Sequence, residues 1–252
     1  MSSSAICCAP WSKPRCIRVK RTEEAIVLAG GFGTRLRGVV DDVPKPLAPV
    51  AGRPFLAWLL DRLAQGGLRR CILATGYMAE KIEDRIGARW QGMEIVYSVE
   101  SEPLGTGGAI RLAANRLQGD AVHVLNGDTW LEYAPTALEA AAMESGACLS
   151  VALARVDDVA RYGAVEVDGN KVAGFREKGP AGPGWINAGC YFLGAGALAD
   201  LPARTAYSFE TAFLQPRVQS GDVAAFIGTA GFIDIGVPED YARAQSIFAA
   251  GP

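Results

Sequence analysis

From residue 24 onward, short apolar runs of strand length alternate with segments whose apolar positions recur at helical spacing. AIVLA (25–29), CILAT (71–75), EIVYSV (94–99) and AVHVL (121–125) predict four strands. Between them, 54–65 carries Phe55, Leu59, Leu60 and Leu63 on one helical face, and 79–86 and 107–117 predict two more helices. Strand and helix in this alternation form parallel strands joined by right-handed crossovers. Each strand ends where glycine or polar residues begin, in GGFGTR, TGY, EPLGTGG and NGDT. In open α/β sheets that end of the strands is where ligands bind.

After residue 146 the texture changes to CLSVALA, YGAVEV, KVAGF and INAGCYFL, followed by helical SFETAFL and then FIDIG before Pro238. These runs predict mixed strands that extend the same sheet and cover a substrate. No internal repeat is present, and in particular no hexapeptide array for an appended β-helix.

Length and composition narrow the class. The 252 residues are 50% hydrophobic and 21% charged, enough apolar side chain for a sizeable core and outside the range of disordered or collagen-like chains. With 27 acidic against 25 basic residues the net charge is −2, so no global field favours nucleic acid or an anionic membrane. Apolar runs are strand-sized, well short of the ~20 residues that span a bilayer, and the chain is expected to be soluble. Six cysteines in a chain this long, with Cys71 and Cys148 in apolar runs and Cys190 beside aromatics, match neither a disulfide framework nor a zinc spacing. Buried free thiols in a reducing compartment are expected. Residues 1–23 hold Lys13, Arg15, Arg18, Lys20 and Arg21 without the apolar centre of a signal peptide. This stretch reads as a disordered basic tail, or as a start-site artefact with Val19 as the alternative start, leaving 24–252 as a single domain.

Two loops carry most of the chemistry. In GGFGTR, Gly30, Gly31 and Gly33 follow a strand directly, so the backbone can turn N–H groups towards an anion, and Arg35 adds a fork suited to phosphate oxygens. Taken alone, the segment also reads as a glycine turn beside a solvated arginine. A dinucleotide fingerprint fails because Leu36 stands where its third glycine belongs, and no Gly-Lys-Ser/Thr closes a P-loop. In VPKPLAPV (43–50), Pro44 and Pro46 stiffen the backbone on both sides of Lys45, which lowers the ordering cost of presenting its ammonium. A rigid surface loop would look the same.

LAGGFGTRL followed by PKPLAPV resembles the signature of the sugar-phosphate nucleotidyltransferases, which make NDP-sugars from an NTP and a sugar 1-phosphate, and the resemblance runs from about residue 25 to 249. It implies an α/β fold, a Rossmann-like three-layer sandwich with a mostly parallel mixed sheet of GT-A-like kind. It further implies that Asp128 of NGDT and Asp234 of FIDIG hold a catalytic Mg²⁺, a role suited to hard carboxylate oxygens. Lys178 of FREKG would meet the sugar phosphate, and Glu177 with Asn187 of INAGCY would bond sugar hydroxyls. Gly163, beside Tyr162, and Gly189 would complete that pocket. The nucleotide side would comprise Leu28, Ala29, Gly30, Gly31, Gly33 and Thr34, with Glu100, Glu102, Gly105 and Gly107 at the base. Arg35, Lys45 and Lys178 are the expected catalytic cations.

For base choice, guanine presents N1–H and N2–H₂ donors that a carboxylate such as Glu100 or Glu102 accepts, whereas uracil or thymine suits an amide. GTP is favoured on that ground. Within the family, VPKPLAPV with GRPF and SVESEPLGTGGAI looks most like the D-glycero-α-D-manno-heptose 1-phosphate guanylyltransferases. Mannose 1-phosphate guanylyltransferases usually carry Thr-Ala-Gly where this chain has Thr106, Gly107 and Gly108, and N-acetylmuramate 1-phosphate uridylyltransferases are also near. A non-catalytic nucleotide-sugar sensor is the alternative of a different class. One departure is Val237, where the family commonly has Thr, a helix cap whose loss costs roughly 1 kcal/mol. His123, the single histidine, lies mid-strand and reads as structural, and the chemistry needs no histidine base because a phosphate oxygen is the nucleophile. The expected setting is cytoplasmic, as a monomer or homodimer supplying lipopolysaccharide, capsule or S-layer synthesis, with no nucleic-acid or membrane partner.

Overall fold

The structure, a computed structural model, describes residues 21–31, 43–176 and 181–251. Among these, ten strands form one mixed sheet. Its centre is four parallel strands, β7 (Val122–Asn126), β1 (Glu24–Leu28), β4 (Arg70–Thr75) and β6 (Met93–Val99), in that spatial order. They are the four runs expected from sequence. A two-residue edge strand, β5 (Arg89–Trp90), ends this side antiparallel to β6.

The other half joins through β12 (Gly184–Leu193), antiparallel to both β7 and β9 (Leu149–Val156). Beyond β9 lie β13 (Ala224–Phe226), β11 (Lys171–Arg176) and β10 (Ala164–Asp168), and a single bridge from Val165 to Trp185 returns β10 to β12. In this half β10–β11, β11–β13 and β9–β12 pair antiparallel while β13 runs parallel to β9, whereas the first half, joined by helical crossovers, is parallel throughout its four central strands.

Two apolar clusters lie on opposite faces of the sheet, following the period-2 alternation of strand side chains. Ala25 and Val27 of β1 and Cys71 and Leu73 of β4 face one cluster, with α1 (Phe55–Gln65), α2 (Ala79–Ile86), α4 (Pro135–Ser145) and α7 (Pro238–Ala249). Ile26 and Ile72 face the other, beneath α3 (Gly105–Ala114), α5 (Ala195–Ala199) and α6 (Gln215–Gln219). These are the three layers expected. Two small ladders complete the fold, β2 (Pro49–Val50) with β3 (Arg53–Pro54), and β8 (Thr129–Glu132) with β14 (Ala230–Asp234).

Local differences have local causes. The third helix begins at Gly105, two residues earlier than expected, and ends at Ala114, with 115–117 continuing as turns. SFETAFL becomes a π-helical turn, Glu210–Leu214, that runs into α6. The α7 terminus has no side-chain cap at Val237, as its replacement of Thr implies, and Pro238 opens the helix. Of the expected tail, residues 21–23 are described: Arg21 donates to the Gly66 carbonyl at 2.9 Å, and Thr22 is buried with its N–H on Glu139.

A nucleotide-sized cleft at the strand ends

The carboxyl ends of β1, β4, β6 and β7 open onto a cleft of about 550 Å³. Of the residues expected to bind nucleotide, Leu28, Ala29, Gly30, Gly31, Glu100, Glu102 and Gly105 line it, as do Lys45 and Asp128. Gly30 is wedged between strands: a Cβ there would stand 3.0 Å from Glu100 Oε1 and 3.3 Å from the Gly76 nitrogen. Gly33, Thr34 and Arg35 lie outside the described residues, as do Glu177 and Lys178. Gly107 is not on the cleft wall; it packs under the ring of Tyr207, where any Cβ would collide with ring carbons.

Lys45 opens a 3-10 turn, Lys45–Leu47, between its two prolines, with Pro44 extended at φ −63° and ψ 146°. Its ammonium is paired with Asp128 Oδ2, and the two side chains are 10% and 33% exposed. Asp128 sits just past β7, where Gly127 must lack a side chain because a Cβ would run into the Leu28 carbonyl. The β8–β14 ladder then pairs Thr129 with Asp234, and the Ile235 N–H donates to the Asp128 carbonyl at 3.0 Å. Asp234 Oδ1 accepts the Gly236 N–H at 2.7 Å, and a Cβ on Gly236 would lie 2.7 Å from that oxygen and 2.8 Å from Lys45 Nζ. Lys45, Asp128 and Asp234, distant in sequence, thus meet at one point on the rim.

That donor set fits a hard divalent ion. Two carboxylates stand together, and no cluster of three or more His, Cys, Asp or Glu side chains that could hold a metal occurs among the described residues. Mg²⁺ is commonly held by one or two carboxylates and completed by waters and substrate phosphates.

Glu100 forms the opposite wall. Its Oε2 accepts the Leu104 N–H at 3.0 Å, and partial burial raises the carboxyl above the usual glutamate range, while that backbone bond opposes the rise.

Of the residues expected to hold the sugar, Gly163, Asn187 and Gly189 are described, and none of them lines this cleft, although Gly189 packs against Asn126 of its wall. A bulge in β12 between Asn187 and Cys190 leaves Gly189 at φ +67°, its missing side chain replaced by Asn126, a cleft residue at the end of β7. Asn187 Oδ1 accepts the Gly189 N–H at 3.0 Å and its Nδ2 donates to Tyr191 Oη at 2.8 Å. Gly163 has φ +79°, and its neighbour Tyr162 donates to Asp240 Oδ2 at 3.2 Å. Buried Asp240, on the first turn of α7, also pairs with Arg161 and Arg243.

Sequence reasoning missed Asn126, Tyr77, Pro46, Thr106 and Asp128's partnership with Lys45. Asn126 and Tyr77 lie inside the NGDT and TGY segments already marked at strand ends, so position alone was a usable signal. His123 is fully buried against the Phe192 ring, and burial, with Arg21 nearby, lowers its pKa to about 3. Cys190 is buried too, its thiol pushed up to about 12, which rules it out as a nucleophile.

A mixed α/β sheet with a glycine-lined cleft at its strand ends and two carboxylates beside a proline-braced lysine is the architecture of a nucleotide-processing enzyme. The chain belongs to the nucleotidyl transferase family, whose model matches residues 24–250. It is 40% identical to the D-glycero-α-D-manno-heptose 1-phosphate guanylyltransferase of Aneurinibacillus thermoaerophilus over 222 residues, 88% of this chain and 96% of that one. The enzyme of the same name from Campylobacter jejuni is 41% identical over 219 residues, with 86% and 96% covered. The crystal structure of HddC from Yersinia pseudotuberculosis matches with a TM-score of 0.80 at 38% identity, covering 90% of this chain and all of that one. A second crystal structure of that protein, complexed with GMP-PN, matches at 0.79. No helix among the described residues is long and apolar enough to cross a membrane.

Proposed function

We propose that the chain transfers GMP from GTP to D-glycero-α-D-manno-heptose 1-phosphate, releasing pyrophosphate and yielding the GDP-heptose for cell-surface glycan assembly in the cytoplasm. The observation that carries this is the meeting of Lys45, Asp128 and Asp234 on the rim of a cleft whose far wall is the Glu100 carboxylate. The heptose enzymes at 40% and 41% identity support the choice of sugar and base.

In this reading an oxygen of the sugar phosphate attacks the α-phosphorus of GTP in line, and the bond to the β-phosphate bridging oxygen breaks as pyrophosphate leaves. The attacking oxygen is already ionised at neutral pH, so no side chain need remove a proton. Gly30 and Gly31, with Gly33, Thr34 and Arg35, hold the β- and γ-phosphates. Lys45 lies at the reacting centre, and Lys178 neutralises the incoming phosphate. Glu177, Asn187, Gly163 and Gly189 bond the sugar, and Leu28, Ala29, Glu100, Glu102 and Gly105 belong to the nucleoside side, with Gly107 set behind them under Tyr207. Asp128 and Asp234 would hold Mg²⁺, which offsets the negative charge that builds on the α-phosphate. Residues 24–252 act as one catalytic domain, onto which Arg21 and Thr22 also pack.

The test is product formation. Protein incubated with GTP, Mg²⁺ and the heptose 1-phosphate should release pyrophosphate in step with a GDP-heptose identified by mass. A folded protein that binds GTP and forms no nucleotide sugar would make it a sensor instead.

A further inference from the structure

The start of α3 is held by a segment about a hundred residues further along the chain. Tyr207 N donates to the Leu104 carbonyl at 2.9 Å, and Gly107 N donates to the Tyr207 carbonyl at 2.9 Å. Side chains at Gly107 and Gly108 would collide with the Tyr207 ring and the Thr205 carbonyl, and a Cβ at Gly105 would stand 2.6 Å from the Tyr207 oxygen. The glycines of this loop therefore admit residues 205–207, not only a flat base.

At the centre of the clasp is Thr106, which lines the cleft. Its hydroxyl donates to Glu210 Oε2 at 3.0 Å and accepts the Phe209 N–H at 2.8 Å. Ser208 donates to the same Glu210 oxygen at 3.0 Å. A threonine hydroxyl has one proton and two lone pairs. With the proton committed to Glu210, Thr106 can offer a ligand only a lone pair. Glu100, at the other end of the same wall, likewise offers only acceptors as a carboxylate.

We infer that Glu210 is a positioning residue that sets the polarity of the base-facing wall, holding Thr106 as an acceptor and so favouring a base edge made of donors. This rests on the guanine reading above. Guanine presents N1–H and N2–H₂; adenine presents an acceptor at N1, and would meet a lone pair there. The π-helical turn that begins at Glu210 is the local irregularity that delivers the carboxylate, and such turns recur at functional sites.

Calorimetric titration with GTP and with ATP, in the absence of sugar phosphate, tests this. Glu210→Ala frees the Thr106 proton and should weaken GTP about tenfold, the scale of one hydrogen bond, while ATP stays within about twofold. Glu210→Gln keeps one amide oxygen for both hydroxyls and should restore the wild-type preference. Equal weakening of both nucleotides in Glu210→Ala, or an unchanged preference, would overturn the inference and leave Glu210 merely structural. Should Glu210→Ala fail to fold, Thr106→Val carries the test with the same two outcomes. A wild-type protein that binds GTP and ATP alike would instead remove the guanine reading itself, before any variant is compared.

Discussion

Lys45 and Asp128 stand 83 residues apart in the chain and form an ion pair on the rim of the cleft. The pair is asymmetric: the ammonium is almost covered, and the carboxylate keeps one third of its surface open towards the cleft. With Asp234 adjoining through the β8–β14 ladder, the pair holds two carboxylates close together and keeps a cation ready before any substrate arrives.

Asp128→Asn should therefore lower guanylyl transfer by about a hundredfold or more, the scale seen when a group stabilising transition-state charge is removed. The fold should persist, because the backbone bond from Ile235 to the Asp128 carbonyl does not involve the side chain. Pyrophosphate release and a circular-dichroism melt on the same sample check both halves. A rate near wild type would remove Asp128 from the reaction centre.

Gly189→Ala should cost stability and sugar-phosphate affinity together. Alanine at φ +67° is strained by about 1 kcal/mol or more, and its methyl group would push Asn126 away from the cleft. A lower melting temperature with a raised KM for sugar phosphate is expected, and an unchanged KM would dissociate the bulge from sugar binding.

Glu100→Gln separates stability from specificity. Burial raises the folded-state pKa of Glu100 above its unfolded value, so ionising it in the folded protein is unfavourable. At pH below the ordinary glutamate value both states are protonated and no penalty exists; as pH rises through the folded pKa the wild type loses stability that the glutamine variant keeps. The variant should melt higher than wild type at pH 7, with the gap closing towards pH 4, while its preference for GTP falls. Melting curves at several pH values check the sign.

His123 predicts the opposite slope. Its folded pKa is lowered to about 3, chiefly by burial, and among the described residues neither ring nitrogen has a hydrogen-bond partner. The unfolded chain takes up this proton near pH 6.5, so the stability held above that value is lost as pH falls towards 3. His123→Leu should flatten this part of the stability curve. As the single histidine, its ring proton also gives one unambiguous NMR signal, which should not titrate between pH 8 and 5.

How much of this was legible in the sequence depended on whether the signal was local. β1, β4, β6 and β7 are near-continuous apolar runs because both faces of a central parallel strand are covered, and they were readable directly. α4 escaped because Ala140, Ala141 and Ala142 blur any amphipathic period, although Pro135 opens the helix and Gly146, at φ +70°, closes it. β8 was hidden behind NGDT, which reads as a turn. Asp128 and Asp234 were visible as motifs, but their shared approach to Lys45 depends on the β8–β14 pairing, which no local pattern encodes. Thr106 and Glu210, 104 residues apart, meet only because the 205–214 segment packs over α3. Gly107 of EPLGTGG was expected at the base; what comes close to it is the ring of Tyr207, brought there from about a hundred residues along the chain.

The most direct test of the central claim is a competition in one vessel: equimolar GTP, UTP, CTP, dTTP and ATP with Mg²⁺ and equimolar heptose, mannose, glucose and N-acetylmuramate 1-phosphates, the nucleotide sugars then resolved by mass. GDP-heptose as the dominant product is the expected result. A dominant UDP- or dTDP-sugar would contradict the acceptor wall formed by Glu100 and Thr106, and a dominant GDP-mannose would contradict the choice of heptose.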